Sequence, residues 1–90
     1  MSNEQILGAL SMDLKRIAIG YHRGSVFMAQ RFFQEALRRK SEIDEKSIKP
    51  YVKKILNNLG QLSSQKDTKD IAENALMYST LLQNASISSI

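Results

Sequence analysis

Cysteine and tryptophan are absent from the 90 residues, and proline and histidine each occur only once. Without cysteine the chain can form neither a disulfide framework nor a thiolate metal or redox site, which is usual for a cytosolic protein. No stretch approaches the ~18 apolar residues of a membrane span, and no secretory leader is recognisable. These absences predict a cytoplasmic protein without membrane contact, cofactor or metal. Its length predicts a single domain with a modest core.

Catalytic motifs are lacking as well. The clustered carboxylates, Glu42 to Glu45 and Asp67 to Asp70, lie in charged segments next to predicted helix ends. Their spacing does not match a calcium-binding loop, and the chain has neither a phosphate-binding glycine loop nor a nucleophile motif. We therefore expect a protein that is not an enzyme.

The single histidine, His22, follows Arg16 by six residues. This pair resembles the Arg-x(4–6)-His motif of the HEPN family of helical ribonucleases, and the resemblance implies a nuclease site at these two residues. It covers only the pair. In the family a polar residue usually follows the arginine and the motif lies late in the domain, whereas here Ile17 follows Arg16 in the first quarter. On one helix this spacing also places the two side chains on different faces, so we assign no catalytic residue.

The strongest pattern is a row of apolar or small residues at helical spacing. Its members are Ile6, Leu10, Leu14, Ile17, Tyr21, Ser25, Met28, Phe32 and Ala36. The parts of the row before and after Gly20 and Gly24 share an azimuth to within about 40°, which favours one helix over residues 4–40. Each glycine would cost about 1 kcal/mol inside a helix, and Ser25 could cap a new one. The alternative is an antiparallel four-helix bundle with a turn at residues 20–24.

Two shorter helices are expected after this segment. Pro50 is tolerated only in a first turn, so a helix over residues 48–62 begins there and buries apolar residues at helical intervals. Asp67 or Thr68 begins a further helix over residues 68–84, and the tail 86–90 is expected to fray. The fold class is therefore all-α, a small helical bundle built on one long N-terminal helix.

The helix lengths predict assembly. A helix over residues 4–40 would be about 55 Å long, whereas the other two would reach only about 21 to 27 Å and leave its N-terminal half uncovered. Monomers rarely expose such an apolar surface, so a two-fold homodimer would cover it. The predicted oligomer interface consists of Ile6, Leu7, Leu10, Leu14, Ile17 and Tyr21.

A basic row follows the same predicted helix. Thirteen lysines and arginines exceed nine aspartates and glutamates, which gives a formal net charge of +4. Four arginines recur at spacings of seven and eight around one aromatic residue, and this basic row comprises Arg16, Arg23, Phe27, Arg31 and Arg38. Guanidinium groups pair with carboxylates and phosphates and stack on rings, so the row is the candidate partner-binding site.

These patterns predict a small homo-oligomeric module for protein interaction or regulation, with an acidic protein as the partner of the basic row. The alternative is a nucleic-acid-binding accessory protein that uses the same row. A charged row is also typical of a solvated helix face that binds nothing.

Overall fold

Four helices make up the fold in the computed structural model, which describes residues 2–65 and 67–87. They are α1 (Asn3–His22), α2 (Val26–Ser41), α3 (Pro50–Leu59) and α4 (Thr68–Ile87). Short 3-10 turns at Glu45–Ser47 and Leu62–Ser64 precede α3 and α4. No strand occurs among the described residues, so the predicted all-α fold class is confirmed.

The predicted continuous helix over residues 4–40 is wrong, and the alternative with a turn at residues 20–24 is the observed one. Gly24 has a φ of 77°, a left-handed conformation that glycine adopts without steric cost. The Gly24 N–H donates to the Tyr21 carbonyl at 3.1 Å, and the Ser25 N–H donates to the Gly20 carbonyl at 2.8 Å. This pair of bonds is a Schellman motif, and it ends α1.

The other glycine of the turn region, Gly20, is needed for close packing. It lies inside α1, and a Cβ atom placed on it would approach the backbone nitrogen of Ala29 to 3.0 Å and the Ala29 Cβ to 3.1 Å. The two helices of the hairpin therefore approach each other where neither has a side chain larger than a methyl group. The agreement in azimuth of the apolar rows before and after the glycines therefore did not indicate one continuous helix.

The first helix is the centre of the bundle, since α1 packs against both α2 and α4. Five of the six residues predicted for the oligomer interface are almost inaccessible to solvent within the single chain: Ile6 4%, Leu7 3%, Leu10 0%, Leu14 1% and Ile17 0%. The sixth, Tyr21, is half-buried. These residues form the core of one chain rather than an exposed surface, because a helix of 20 residues is short enough for its own neighbours to cover. A dimer is not needed to cover these residues, and it stays a prediction.

The later helices begin where the sequence predicts and end differently. Lys49 is the N-cap of α3 and Pro50 its first residue, as expected, but α3 ends at Leu59. Leu62 lies in the following 3-10 turn and is buried. The last helix continues to Ile87, so the first residues of the predicted frayed tail are helical, and residues 88–90 lie outside the described part.

Long-range hydrogen bonds join α1 to two other parts of the chain. The Asn3 amide donates to the Asp44 carbonyl at 2.9 Å and accepts from the Asp44 N–H at 3.0 Å, which ties the start of α1 to the segment before α3. The Ser79 hydroxyl donates to the Ser11 carbonyl at 2.7 Å, inside the contact between α1 and α4. Of the helices described here, none has the length and apolar character needed to cross a membrane.

Candidate functional site

The basic row is divided by contacts between α1 and α2. A buried carboxylate, Asp13, lies between these helices with 2% of its side chain exposed. Arg39 Nε donates to Asp13 Oδ2 at 2.7 Å, and Arg16 Nη1 approaches Asp13 Oδ1 at 3.5 Å. Burial raises the pKa of the Asp13 carboxyl above its ordinary value, while the charges of Arg39 and Arg16 oppose this shift. Asp13 thus engages one arginine of the row inside the fold.

Arg16 has a second contact that holds it to the hairpin. Its guanidinium carbon lies 5.3 Å from the centre of the Phe32 ring, a cation–π geometry between α1 and α2. At the other end of the row, Arg38 Nη2 donates to Glu35 Oε2 at 2.6 Å. This hydrogen bond and the charge of Arg38 lower the pKa of Glu35. Two of the four arginines of the row therefore already have partners within the chain.

The remaining members of the row are exposed around the α1–α2 turn. Arg23 caps the end of α1, and Arg31 lies one helical turn after Phe27 on α2. Neither arginine forms an ion pair with a carboxylate of the described residues. The Phe27 side chain is 84% exposed, more than any other large apolar side chain of the described residues. The structure thus leaves three of the five predicted residues available to a partner.

Phe27 and Arg31 line a surface hollow of about 480 Å³, which we call the aromatic hollow. Its other lining residues are Tyr21, Gln30, Phe33 and Gln34. Tyr21 is the last core position of α1, and Phe33 packs into the hairpin, so the hollow has a rigid base with two aromatic side chains. Phe27, Arg31 and the two glutamine side chains provide an exposed ring, a cation and amide groups on one face of α2.

A larger hollow of about 690 Å³ adjoins it, between the C-terminal part of α1 and the N-terminal part of α4. We call it the α1–α4 groove. It is lined by Ala18, Ile19, Tyr21, His22, Arg23, Thr68, Lys69, Ala72, Glu73 and Leu76. Tyr21 lines both hollows, so the two are adjacent at this end of the bundle.

The two residues that resemble the HEPN motif are not brought together. Arg16 contacts Asp13 and Phe32 at the α1–α2 contact, whereas His22 lines the α1–α4 groove. Within the described part of the chain, no group of three or more histidine, aspartate or glutamate side chains is placed to hold a metal ion.

Two features of this surface were missed by sequence reasoning. The Asp13–Arg39 pair joins residues 26 positions apart, and only the hairpin places them together. The sequence does indicate the α1–α4 groove, since Ile19 and Leu76 are apolar residues off the main core faces of their helices. They are 37% and 51% exposed. Apolar residues on both sides of a helix indicate a second contact surface.

Comparison of the chain with protein-family models, curated proteins and solved structures found no match.

Proposed function

We propose that the protein is a cytoplasmic, non-enzymatic interaction module that binds an acidic segment of a partner protein at the aromatic hollow. The observation that carries this proposal is the exposed Phe27 ring beside Arg31, a cation without a carboxylate partner among the described residues. The absence of cysteine supports the cytoplasmic location.

The chemistry of the hollow favours a peptide with carboxylates. Binding energy in protein interfaces is concentrated on a few aromatic and arginine side chains in well-packed positions. Arg31 can pair with a carboxylate in two parallel hydrogen bonds, and Phe27 and Tyr21 supply the apolar area beside it. Gln30 and Gln34 can bond to the backbone of an extended segment.

The pairing of charges within the chain favours an acidic protein over nucleic acid as the partner. Proteins that bind nucleic acid through its backbone neutralise several phosphates, typically six to ten in tight complexes. Arg16 and Arg38 are engaged by Asp13 and Glu35, so the basic row retains only Arg23 and Arg31 for an outside anion. Two free arginines are too few for a phosphate track but suffice for a short acidic peptide.

Homo-oligomerisation is retained as a separate proposal with different residues. Most residues first assigned to a subunit contact are in the core, so association of copies would have to use exposed apolar side chains, such as Ile19 of α1, Phe27 of α2 or Leu76 of α4. Sedimentation of the purified protein over a range of concentrations tests this independently of partner binding.

The test is selection of linear peptides from a random display library on the wild type, followed by affinity measurements with variants. We expect enrichment of peptides with aspartate or glutamate beside an apolar residue. Phe27→Ala and Arg31→Glu should each weaken binding by about tenfold or more. Tyr51→Ala and Lys54→Glu likewise remove an aromatic ring and reverse a positive charge, at exposed positions of α3, and should alter affinity by less than about twofold.

Two results would contradict the proposal. One is selection of peptides without acidic residues, and the other is equal loss of affinity in the α3 control variants. A parallel titration with mixed RNA and single-stranded DNA tests the alternative. Tight binding that falls steeply with salt and is lost in Arg31→Glu would instead support a nucleic-acid-binding accessory protein.

A further inference from the structure

The α1–α4 groove combines an apolar base with a rim of charged residues. Ala18 and Ile19 of α1 face Ala72 and Leu76 of α4 across the groove. Ile19 and Leu76 remain 37% and 51% exposed although they lie at the edge of the bundle core. Met12, two turns before Ile19 on the same face of α1, is 46% exposed and extends the apolar surface beyond the groove.

The groove is open because the two helices pack closely through small residues. The small residues Ser11 and Ala18 of α1 and Ala75 and Ser79 of α4 are buried, and the Ser79 hydroxyl donates to the Ser11 carbonyl between the two helices. Small side chains at the contact bring the helix backbones together and leave the larger Ile19 and Leu76 outside it. The groove therefore has two parallel ridges, one from each helix, with an apolar base between them. A third helix can bind in a groove of this shape.

The charges on the rim indicate which kind of helix fits. Arg23 and Lys69 line the groove on opposite helices, against a single carboxylate, Glu73. Neither cation forms an ion pair with a carboxylate of the described residues. The α4 residues that line the groove lie between Thr68 and Leu76, a span of about 12 Å, which corresponds to slightly more than two turns of a docked helix.

We propose that the α1–α4 groove binds an acidic amphipathic helix of the partner protein, with apolar residues between Ile19 and Leu76 and carboxylates against Arg23 and Lys69. This inference rests on the proposed function, because it assigns a second part of the same acidic partner to the surface that Tyr21 joins to the aromatic hollow. The aromatic hollow binds the extended segment that continues from the helix.

The probe is a display library built on a helix-stabilised peptide of about 14 residues, about 21 Å long, and randomised along one face. We expect selection on the wild type to enrich helices with apolar residues at i and i+4 or i+7, flanked by aspartate or glutamate. Selected helices are then measured against Leu76→Glu and its matched control Met77→Glu. Both residues are about half exposed and adjacent on α4, but only Leu76 lines the groove.

Leu76→Glu should weaken binding of the selected helices by about tenfold or more, and Met77→Glu by less than about twofold. Reversal of the rim charge by Lys69→Glu should weaken binding severalfold, in contrast to Lys54→Glu on α3. Circular dichroism of each variant establishes that the fold is retained, since glutamate is a good helix former at exposed positions.

The outcomes separate this inference from the proposed function. If Leu76→Glu has no effect while Arg31→Glu and Phe27→Ala abolish binding of acidic peptides, the groove assignment is wrong and the proposed function stands. Selection of basic or uncharged helices would also overturn the groove assignment. Concentration-dependent association of the wild type that is lost in Leu76→Glu but not in Met77→Glu would mean that a second copy occupies the groove, which contradicts the inference.

Discussion

The two contacts of α1 differ in how they use charge. Against α2, the helix buries Asp13 with Arg39, stacks Arg16 on Phe32 and approaches Ala29 at Gly20. Against α4, it uses small residues and one hydroxyl hydrogen bond, and no ion pair joins the two helices within the described residues.

The comparison shows why arginines of one row have different roles. Arg16 is close to the buried Asp13 because it lies on the side of α1 that faces α2. Arg23, one residue past the end of the same helix, lines the groove beside α4, where no carboxylate of the contact pairs with it. An arginine stabilises the fold where it pairs with a buried acid, and Arg23 is available for binding because it forms no ion pair with a carboxylate of the described residues.

The largest effect is expected from breaking the charged contact. Arg39→Ala leaves the Asp13 carboxylate buried with only the longer contact to Arg16, and the free energy of unfolding should fall by about 3 kcal/mol. Arg31→Ala removes an exposed arginine of α2, the helix that also contains Arg39. It should change the free energy of unfolding by less than about 0.5 kcal/mol. Urea unfolding of both variants measures the difference. Equal losses would show that the Asp13–Arg39 pair does not stabilise the α1–α2 contact.

Two glycines of α1, one facing α2 and one facing α4, test the two contacts through packing alone. Gly20→Ala places a methyl group 3.0 Å from the Ala29 nitrogen and should destabilise the fold by about 2 kcal/mol through overpacking. Gly8→Ala faces α4, where the nearest atom, Ser86 Oγ, is 3.9 Å away, and should stabilise the helix by about 0.5–1 kcal/mol. Thermal unfolding of the two variants should therefore shift in opposite directions, and a gain at Gly20 would argue against the close approach of α1 and α2.

The smallest effect concerns pH and distinguishes the buried from the exposed carboxylate. The pKa of Asp13 is raised in the fold, so its contribution to stability is present below its unfolded pKa and is lost as pH rises through the raised value. The pKa of Glu35 is lowered, so its contribution is present above its unfolded pKa and is lost as pH falls through the lowered value.

Asp13→Asn and Glu35→Gln should therefore change the pH dependence of stability in opposite senses on the acid side of neutrality. In Asp13→Asn the gain in stability on acidification disappears. In Glu35→Gln the loss of stability at low pH becomes smaller. Urea midpoints measured from pH 7 down to pH 3 compare both variants with the wild type. Parallel curves for all three proteins would mean that neither carboxylate is perturbed by the fold.

The sequence by itself determined the helical class and the starts of the later helices, because these depend on local chemistry. Pro50 after Lys49 begins α3, and Thr68 begins α4, as the capping and proline patterns predicted. The apolar row also identified residues that are buried, since helical spacing alone selects one face. The exposure of Phe27 among arginines was likewise predicted, although the row was placed on a helix that does not continue through residue 24.

Only the tertiary structure decided what each helix face contacts. Helical periodicity gives the azimuth of a residue but not its neighbour, so the N-terminal half of α1 could equally have faced a second subunit or α4. By local propensity, Gly20 and Gly24 each fit either a helix or a turn. The close approach of Gly20 to Ala29 and the left-handed φ of Gly24 show that Gly20 lies in a helix contact and Gly24 in the turn. The sequence supplied the charges, and the distances from Asp13 to Arg39 and from Glu35 to Arg38 determined which arginines are paired.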